Sequence, residues 1–357
     1  MASWNKEFLQ RENGEIVSMQ VPEIVSASRS TDIPAFYADW FFHRLKVGYS
    51  AWINPFNGVK GYVSYKNTRF IVFWSKNPRP LLKHLNELKE RGIGCYIQYS
   101  LNDYEEEGLE PLVPMLSSRI ETFKMLVEFL GEGHVIWRFD PLVLANNITI
   151  DKLLCKIENI GNQLKGYTEK LVFSFADIGI YRKVASNLAK EQIAYKEWDP
   201  DSILEFAFRL AELNKTWNYE LATCAESPEL KLGEFGIHAN HCIDDKLMIR
   251  FAYEDKILMK VLKAEIKDMP TPNIFGETEQ LPNDAILLPN GKYATRGDNS
   301  DKNQRLFCGC MRSKDIGEYN TCVHLCKYCY ANLSKETAQR NYQEHQQYLF
   351  SETITGK

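Results

Sequence analysis

RFIVFWSKNPRPLLKHLNELKERGIGCYIQY, residues 69–99, decides the fold class. Arg69–Phe73 and Gly94–Tyr99 are short runs rich in β-branched and aromatic residues, the composition of buried strands. Between them lies PLLKHLNELKERG, an amphipathic segment with leucines three and four residues apart. Strand, helix and strand in that order make a βαβ unit, whose crossover holds its two strands parallel.

The same rhythm extends outward from about residue 22 to 245. Further strand candidates are Glu23–Ala27, Tyr49–Ile53, His134–Arg138, Lys170–Phe175, Asn218–Ala222 and Gly236–Asn240. A second amphipathic segment, SRIETFKMLVEFLG, stops at Gly131, a natural helix terminus. Eight strands over about 225 residues suit an α/β fold of the TIM-like (β/α) barrel kind. The barrel is expected over residues 1–245. Residues 246–300 read as an irregular crossing segment, with one helix-like stretch from Leu247 to Lys267 followed by Pro270, Pro272, Pro282 and Pro289. A Cys-rich segment, 301–333, follows, and a polar tail, 334–357, is expected to form a surface helix.

The 357 residues are 44% apolar and carry a formal charge of −4 from 43 basic and 47 acidic side chains. A large core is possible, and no global basic field draws the chain to nucleic acid or an anionic membrane. A membrane span of about 18 uncharged apolar residues is missing. The opening MASWNKEFLQ lacks the apolar stretch of a signal peptide, so a cytoplasmic, reducing setting is expected. Nine cysteines are unevenly placed. Cys95 and Cys155 stand in apolar contexts and read as buried thiols, while Cys224 and Cys242 stand alone in polar ones. Cys308, Cys310, Cys322, Cys326 and Cys329 crowd into 22 residues. In a reducing compartment such crowding points to a metal or redox site rather than to disulfides.

Polar residues follow each strand candidate. Ser28, Arg29, Thr31 and Asp32 follow the first, Lys76 the third, and Asn102 the fourth; Arg138 and Asp140 follow the fifth, and Asp177, Glu226, His241 and Asp244 come later. In a parallel barrel these ends meet on one face, where active sites are built. Arg29, Asp32, Lys76, Arg138 and Asp140 are therefore the candidate catalytic and substrate-lining residues, with the three cations suited to phosphate or carboxylate. The competing reading has Asp32 and Asp140 capping helices or neutralising those cations as ion pairs.

Cys322-Val-His-Leu-Cys326-Lys-Tyr-Cys329 has the spacing C-x3-C-x2-C. Three thiolates on one tight loop can wrap one face of a 4Fe–4S cluster and leave one iron without a protein ligand. That iron can chelate S-adenosylmethionine, whose reductive cleavage yields a 5′-deoxyadenosyl radical. A zinc site completed by His324 or Cys310 is the alternative. Cys308-Gly-Cys310 supplies half of a second four-ligand site. With Cys224 and Cys242 it would hold a second Fe–S cluster or a structural zinc and pin the late segment to the barrel face. Asn303 and Arg305 in DKNQR, Asp315 in SKDIG, and Tyr328 before the third cysteine are the candidate cofactor contacts.

CVHLCKYCYA resembles the cluster loop of the radical SAM superfamily, including spore photoproduct lyase-like enzymes. The blocks SASRSTDIPAFYADW, INPFN, VFWSKNP, WRFDP, TCAES, HCID, DKNQR, CGCMRSKDIGEYNTC and HLCKYCYAN resemble the domain of unknown function 1848 family over about residues 23–333. That resemblance implies a barrel-like protein whose C-terminal cysteines bind a metal or cluster, and it assigns no substrate. Unlike the wider radical SAM pattern, the cysteine loop here follows the last strand, and no SAM-binding glycine motif follows a second strand. The leading expectation is a radical SAM-like iron–sulfur enzyme acting on an unidentified anionic small molecule or modified polymer. It would take electrons from a flavodoxin- or ferredoxin-like donor and involve no membrane. A barrel protein stapled by zinc or a closed Fe–S site, with a binding rather than catalytic role, is the second reading, and lyase-like nucleic-acid repair, disfavoured by the charge, is the third.

Overall fold

A computed structural model describes residues 4–54, 57–272 and 279–356. Eight strands form one parallel sheet: β1 Ile24–Ala27, β2 Phe70–Ser75, β3 Gly94–Ser100, β4 Val135–Leu142, β5 Lys170–Phe175, β6 Glu220–Thr223, β7 Ile237–Ala239 and β8 Lys314–Asp315. Strands β1 to β7 are neighbours in chain order, and β8 lies on the free side of β1. Each pairing is parallel, with Val72 opposite Tyr96, Val172 opposite Arg138 and Lys314 opposite Val25.

The period of two sorts the side chains onto the two faces. Val25, Ile71, Phe73, Ile97, Trp137, Phe139, Leu171 and Phe173 pack beneath the flanking helices, against Phe41, Leu88, Phe123, Leu153, Ile157 and Phe206. Burying each such side chain contributes about 1.5–3 kcal/mol. The opposite face gathers Ile24, Phe70, Val72, Tyr96, Ile136, Val172 and Ala222 with Met248 and Ile249 from the helix Asp245–Ala252. Two residues further along this face, towards the carboxyl ends, the apolar run gives way to Ser26, Trp74, Gln98, Arg138 and Ser174. Tyr96 Oη in β3 donates to the carbonyl of Cys242 beyond β7 at 2.8 Å. The segment that follows β7 therefore lies over this face of the sheet, packed on Tyr96 with Ile243, Met248 and Ile249.

Three expectations change. Tyr49–Ile53 is a strand, but it belongs to a separate four-stranded sheet with Lys6–Gln10, Ile16–Gln20 and Lys60–Ser64. Asn57-Gly58, a hairpin signature, precedes Lys60, and Tyr49–Ile53 pairs antiparallel with the strand that follows. β1 and β2 pair directly, and the eighth parallel strand is Lys314–Asp315, a two-residue strand too short to show an alternating pattern. The stretch Leu247–Lys267 is not one helix. Asp255 caps a second helix, Lys256–Val261, and Ala264–Lys267 is a strand of a three-stranded antiparallel sheet with Tyr293–Arg296 and Ile286–Leu287. Residues 246–300 are thus more regular than their prolines suggest.

The C-terminal helix Lys335–Gln347 forms as expected. The residues beyond it are anchored, with Glu352 O accepting from Ala51 N at 2.8 Å and the Glu352 carboxylate meeting Arg11 at 2.7 Å. Cys95 is buried, whereas Cys155 is exposed on the helix Ile150–Leu164, because it falls on the polar side of the apolar stripe Leu153, Leu154, Ile157 and Ile160. Among the described residues no helix is long and apolar enough to cross a membrane.

Candidate metal centres on the carboxyl-end rim

The chain beyond β8 returns over the carboxyl ends of β1 to β4. Asp315 anchors the return. Its carboxylate accepts from Arg29 N at 2.9 Å, Ser28 Oγ at 2.8 Å, Ser26 Oγ at 3.2 Å and Gly317 N at 2.9 Å. A Cβ on Gly317 would stand 1.7 Å from Ser28 Oγ, so only glycine lets the chain pass. Tyr37 Oη then donates to Thr321 O at 2.6 Å, and the hydroxyls of Thr321 and Thr31 meet at 2.6 Å.

These contacts seat the loop of Cys322, Cys326 and Cys329. His324, 1% exposed, places Nε2 2.8 Å from Asp32 Oδ2 and Nδ1 3.3 Å from Leu112 O. Asp32 also accepts from Lys76 N at 2.7 Å and caps the turn at Ala35. Lys76 Nζ lies 2.7 Å from Glu110 Oε1 and 3.0 Å from Tyr328 Oη. Asn102 Nδ2 donates to Glu110 and Tyr328, and Tyr328 Oη donates to Glu110. Burial works against ionisation of Glu110, yet Lys76 and Arg119 hold its carboxyl down at about 2. Burial pushes the Cys322 thiol up to about 12 and Cys326 well above the ordinary thiol range, the latter despite nearby Lys76.

The second group of cysteines also converges. Cys224 Sγ and Cys242 Sγ are 3.3 Å apart, and Cys242 N donates to Cys310 Sγ at 3.1 Å. Cys242 opposes a rise at the Cys310 thiol, as does Arg29, but the neighbouring Cys308 and burial together push it up. Its bond with Cys310, with Arg29 adding to the effect, lowers the Cys308 thiol to about 6. Gly309 makes the paired arrangement possible, since a Cβ there would stand 2.2 Å from His241 Nε2. Asn240 Nδ2 donates to Cys224 Sγ at 3.3 Å and Cys242 Sγ at 3.2 Å. Arg138, 2% exposed, directs Nη1 at Cys242 Sγ at 3.4 Å and Nη2 at Cys224 Sγ at 3.5 Å, and also binds Asp140. Trp74 lies between the Arg29 and Arg138 guanidinium groups, each 5.3 Å from its ring.

All five candidate substrate-lining residues stand on this rim, but they are not five free groups. Lys76 is neutralised by Glu110, and Arg138 by Asp140, whose carboxylate also accepts from Ser174. Asp32 is both a cap and a partner of His324. Arg29 keeps its guanidinium towards Gln304 Oε1, 3.4 Å away. Among the candidate cofactor contacts, Tyr328 is buried in the Glu110 network and Asp315 in the β1 anchor. Asn303 bonds within its own turn to Asp301, and exposed Arg305 lies beside Tyr181, Cys224 and Cys308. Glu110 and Asn240 were missed. Glu110 sits between apolar residues in a loop, and Asn240 lay inside a strand candidate; neither carries a spacing signal. Glu226, beside Cys224, is pushed up to about 7 by burial and by Asp177.

Among the described residues, only His241, Asp244 and Asp245 form a set of three whose ligand atoms all lie within 4.8 Å of one another. Asp244 is spent capping the next helix, and Asp245 pairs with Arg296 at 2.9 Å and Asn299 at 2.8 Å. No three cysteine sulfurs are drawn that close, whereas four thiolates on one tetrahedral ion stand about 3.8 Å apart. Within the loop of Cys322, Cys326 and Cys329, the His324 ring is committed to Asp32 and Leu112 O.

A model of the family described as Domain of unknown function (DUF1848) matches residues 24–331. No curated protein and no solved structure matches the chain.

Proposed function

This chain belongs to the DUF1848 family, and we propose that it is an iron–sulfur enzyme of the radical SAM kind. Its reacting centre would be the carboxyl-end rim of a parallel barrel. One observation carries the reading: the C-x3-C-x2-C loop packs on residues that follow the strands, with His324 on Asp32 and Tyr328 on Lys76 and Glu110. The strand order, with β8 returning beside β1, supports closure of the sheet into a barrel.

Cys322, Cys326 and Cys329 would hold a 4Fe–4S cluster and leave one iron free of protein ligands. Such a cluster supplies one electron to S-adenosylmethionine and so a carbon-centred radical. The chain's own groups position and shield. Asp32 and His324 fix the loop backbone, while Lys76, Glu110, Asn102 and Tyr328 wall its inner side with satisfied polar groups. Arg29 offers an anionic substrate its most available charge, and half-open Asp140, bonded to Ser174 and Arg138, is the acceptor nearest to it in character. The radical's hydrogen-atom target is left to the substrate. Cytoplasmic placement and a flavodoxin- or ferredoxin-like donor accompany the proposal.

Anaerobic reconstitution with iron and sulfide, followed by EPR with and without S-adenosylmethionine, tests it. A cubane signal that changes on adding S-adenosylmethionine, and is lost in Cys326→Ser, is expected. No cubane signal, or one indifferent to S-adenosylmethionine, would overturn the proposal.

A further inference from the structure

The four-cysteine group lies across the seam of the parallel sheet where no ladder runs. Cys224 follows β6 and Cys242 follows β7, whereas Cys308 and Cys310 lead into β8. Among the described residues β7 and β8 share no rung. The seam is crossed by Met311 N donating to Ile243 O at 3.0 Å and by Cys242 N donating to Cys310 Sγ at 3.1 Å.

Resting on the reading of these four cysteines as one ligand set, we propose that their occupant is a clasp that closes the sheet, and not the reacting group. Cys224 Sγ and Cys242 Sγ are 3.3 Å apart, Cys310 Sγ accepts from Cys242 N at 3.1 Å, and Cys308 stands one residue beyond Cys310 across Gly309. Cys224 belongs to one side of the seam and Cys308 to the other. A tetrahedral ion brings all four sulfurs to about 3.8 Å from one another, so loading pulls the two sides together and draws β8 towards β7. Four sulfur–metal bonds form, and whatever protons the four thiols still carry pass to solvent. A divalent ion with four thiolates carries a charge of −2, and the Arg29 and Arg138 guanidinium groups face it. Four protein ligands fill a tetrahedral ion and leave no open position for substrate, the mark of a structural site. Because Arg138 binds Cys224, Cys242 and Asp140 together, the clasp also fixes the Asp140 carboxylate on the rim.

Zinc is the probe. Metal-free, reduced full-length protein is titrated with Zn2+, and amide hydrogen exchange is followed by mass spectrometry in wild type and Cys224→Ser. In wild type, peptides spanning 237–243 and 308–316 are expected to slow by about tenfold or more on loading, while those of β3 and β4 stay unchanged. Cys224→Ser should bind one equivalent of zinc fewer and lose the slowing. If that equivalent is lost but wild-type exchange at the two edges ignores zinc, the ligand set stands and the clasp is wrong. If the variant binds as much zinc as wild type, the ligand set is wrong and the clasp falls with it. Should Cys224→Ser not fold, shown by its far-ultraviolet circular dichroism, wild-type exchange with and without zinc decides alone: unchanged edges refute the clasp.

Discussion

Lys76 Nζ stands 2.7 Å from Glu110 Oε1, and the Glu110 side chain is only 3% exposed. The pair joins the loop after β2 to the loop after β3 directly under Tyr328, so it supports the cysteine loop from inside the sheet. Removing one partner of a buried pair strands a charge at a cost of about 3–5 kcal/mol. Lys76→Met should lose that much in urea unfolding, and Lys76→Met with Glu110→Gln should recover most of it. An equal loss in the double variant would show that the charges do not depend on each other.

The same pair sets a pH dependence. The Glu110 carboxyl is lowered from 4.5 to about 2 in the folded chain. The stability it contributes is complete above about pH 4.5 and is lost as pH falls towards 2, because the unfolded chain takes up the proton first. The contribution is on the order of 3 kcal/mol. Unfolding free energies measured from pH 6 to 3 should fall more steeply for wild type than for Glu110→Gln; parallel curves would contradict the assignment.

His324 sits inside the cysteine loop yet its ring serves Asp32 and Leu112 O. His324→Asn should therefore keep the iron content of reconstituted protein while losing about 1–3 kcal/mol of stability through the lost buried bonds to Asp32 and Leu112 O. Iron analysis beside thermal unfolding separates the two effects. Loss of metal in proportion to Cys322→Ser would make the histidine a ligand and favour a Cys3His zinc site.

Seven of the eight parallel strands were legible as apolar runs, because strands buried on both faces need no other signal. The eighth, Lys314–Asp315, was hidden: its two polar residues pair with β1 only because Asp315 is held by Ser26, Ser28 and the Arg29 amide, contacts between residues nearly 290 positions apart. The approach of Cys310 to Cys224 and Cys242 was legible from the C-x-C pair and from two cysteines following strands. The surroundings of the cysteines were not, since Glu110 and Asn240 act through partners that only the fold brings near. The cations at the strand ends were legible as a set, but their neutralisation was not, because it depends on which acid lies 2.7 Å away rather than on which residue follows which strand.

Gly309 tests whether the Cys308–Cys310 pair needs its close approach to His241. An added Cβ would stand 2.2 Å from the ring, a distance that real contacts do not reach. Gly309→Ala should push the pair off the face and reduce zinc bound by metal-free protein by about one equivalent, with a stability loss of about 1–3 kcal/mol. His241→Ala added to it should restore binding by vacating the space. If Gly309→Ala binds zinc like wild type, the loop has other room and the packing argument fails.

Asn240 separates the two cysteine groups. Its Nδ2 donates to Cys224 and Cys242 at 3.3 and 3.2 Å, and the residue is 3% exposed, so water cannot replace it easily. Hydrogen bonds to ligand atoms orient them and offset the charge that they gather on metal binding, and losing one such partner typically costs about 10–100-fold in affinity. Asn240→Ala should weaken zinc at the four-cysteine group by about that factor in competition with a chelator of known affinity. The cluster reconstituted on Cys322, Cys326 and Cys329 should keep its iron and its EPR signal, because Asn240 touches none of those residues among the contacts described. A variant that loses both metals together would mean that the two groups form one centre, and one that loses neither would mean that Asn240 only fills space behind β7.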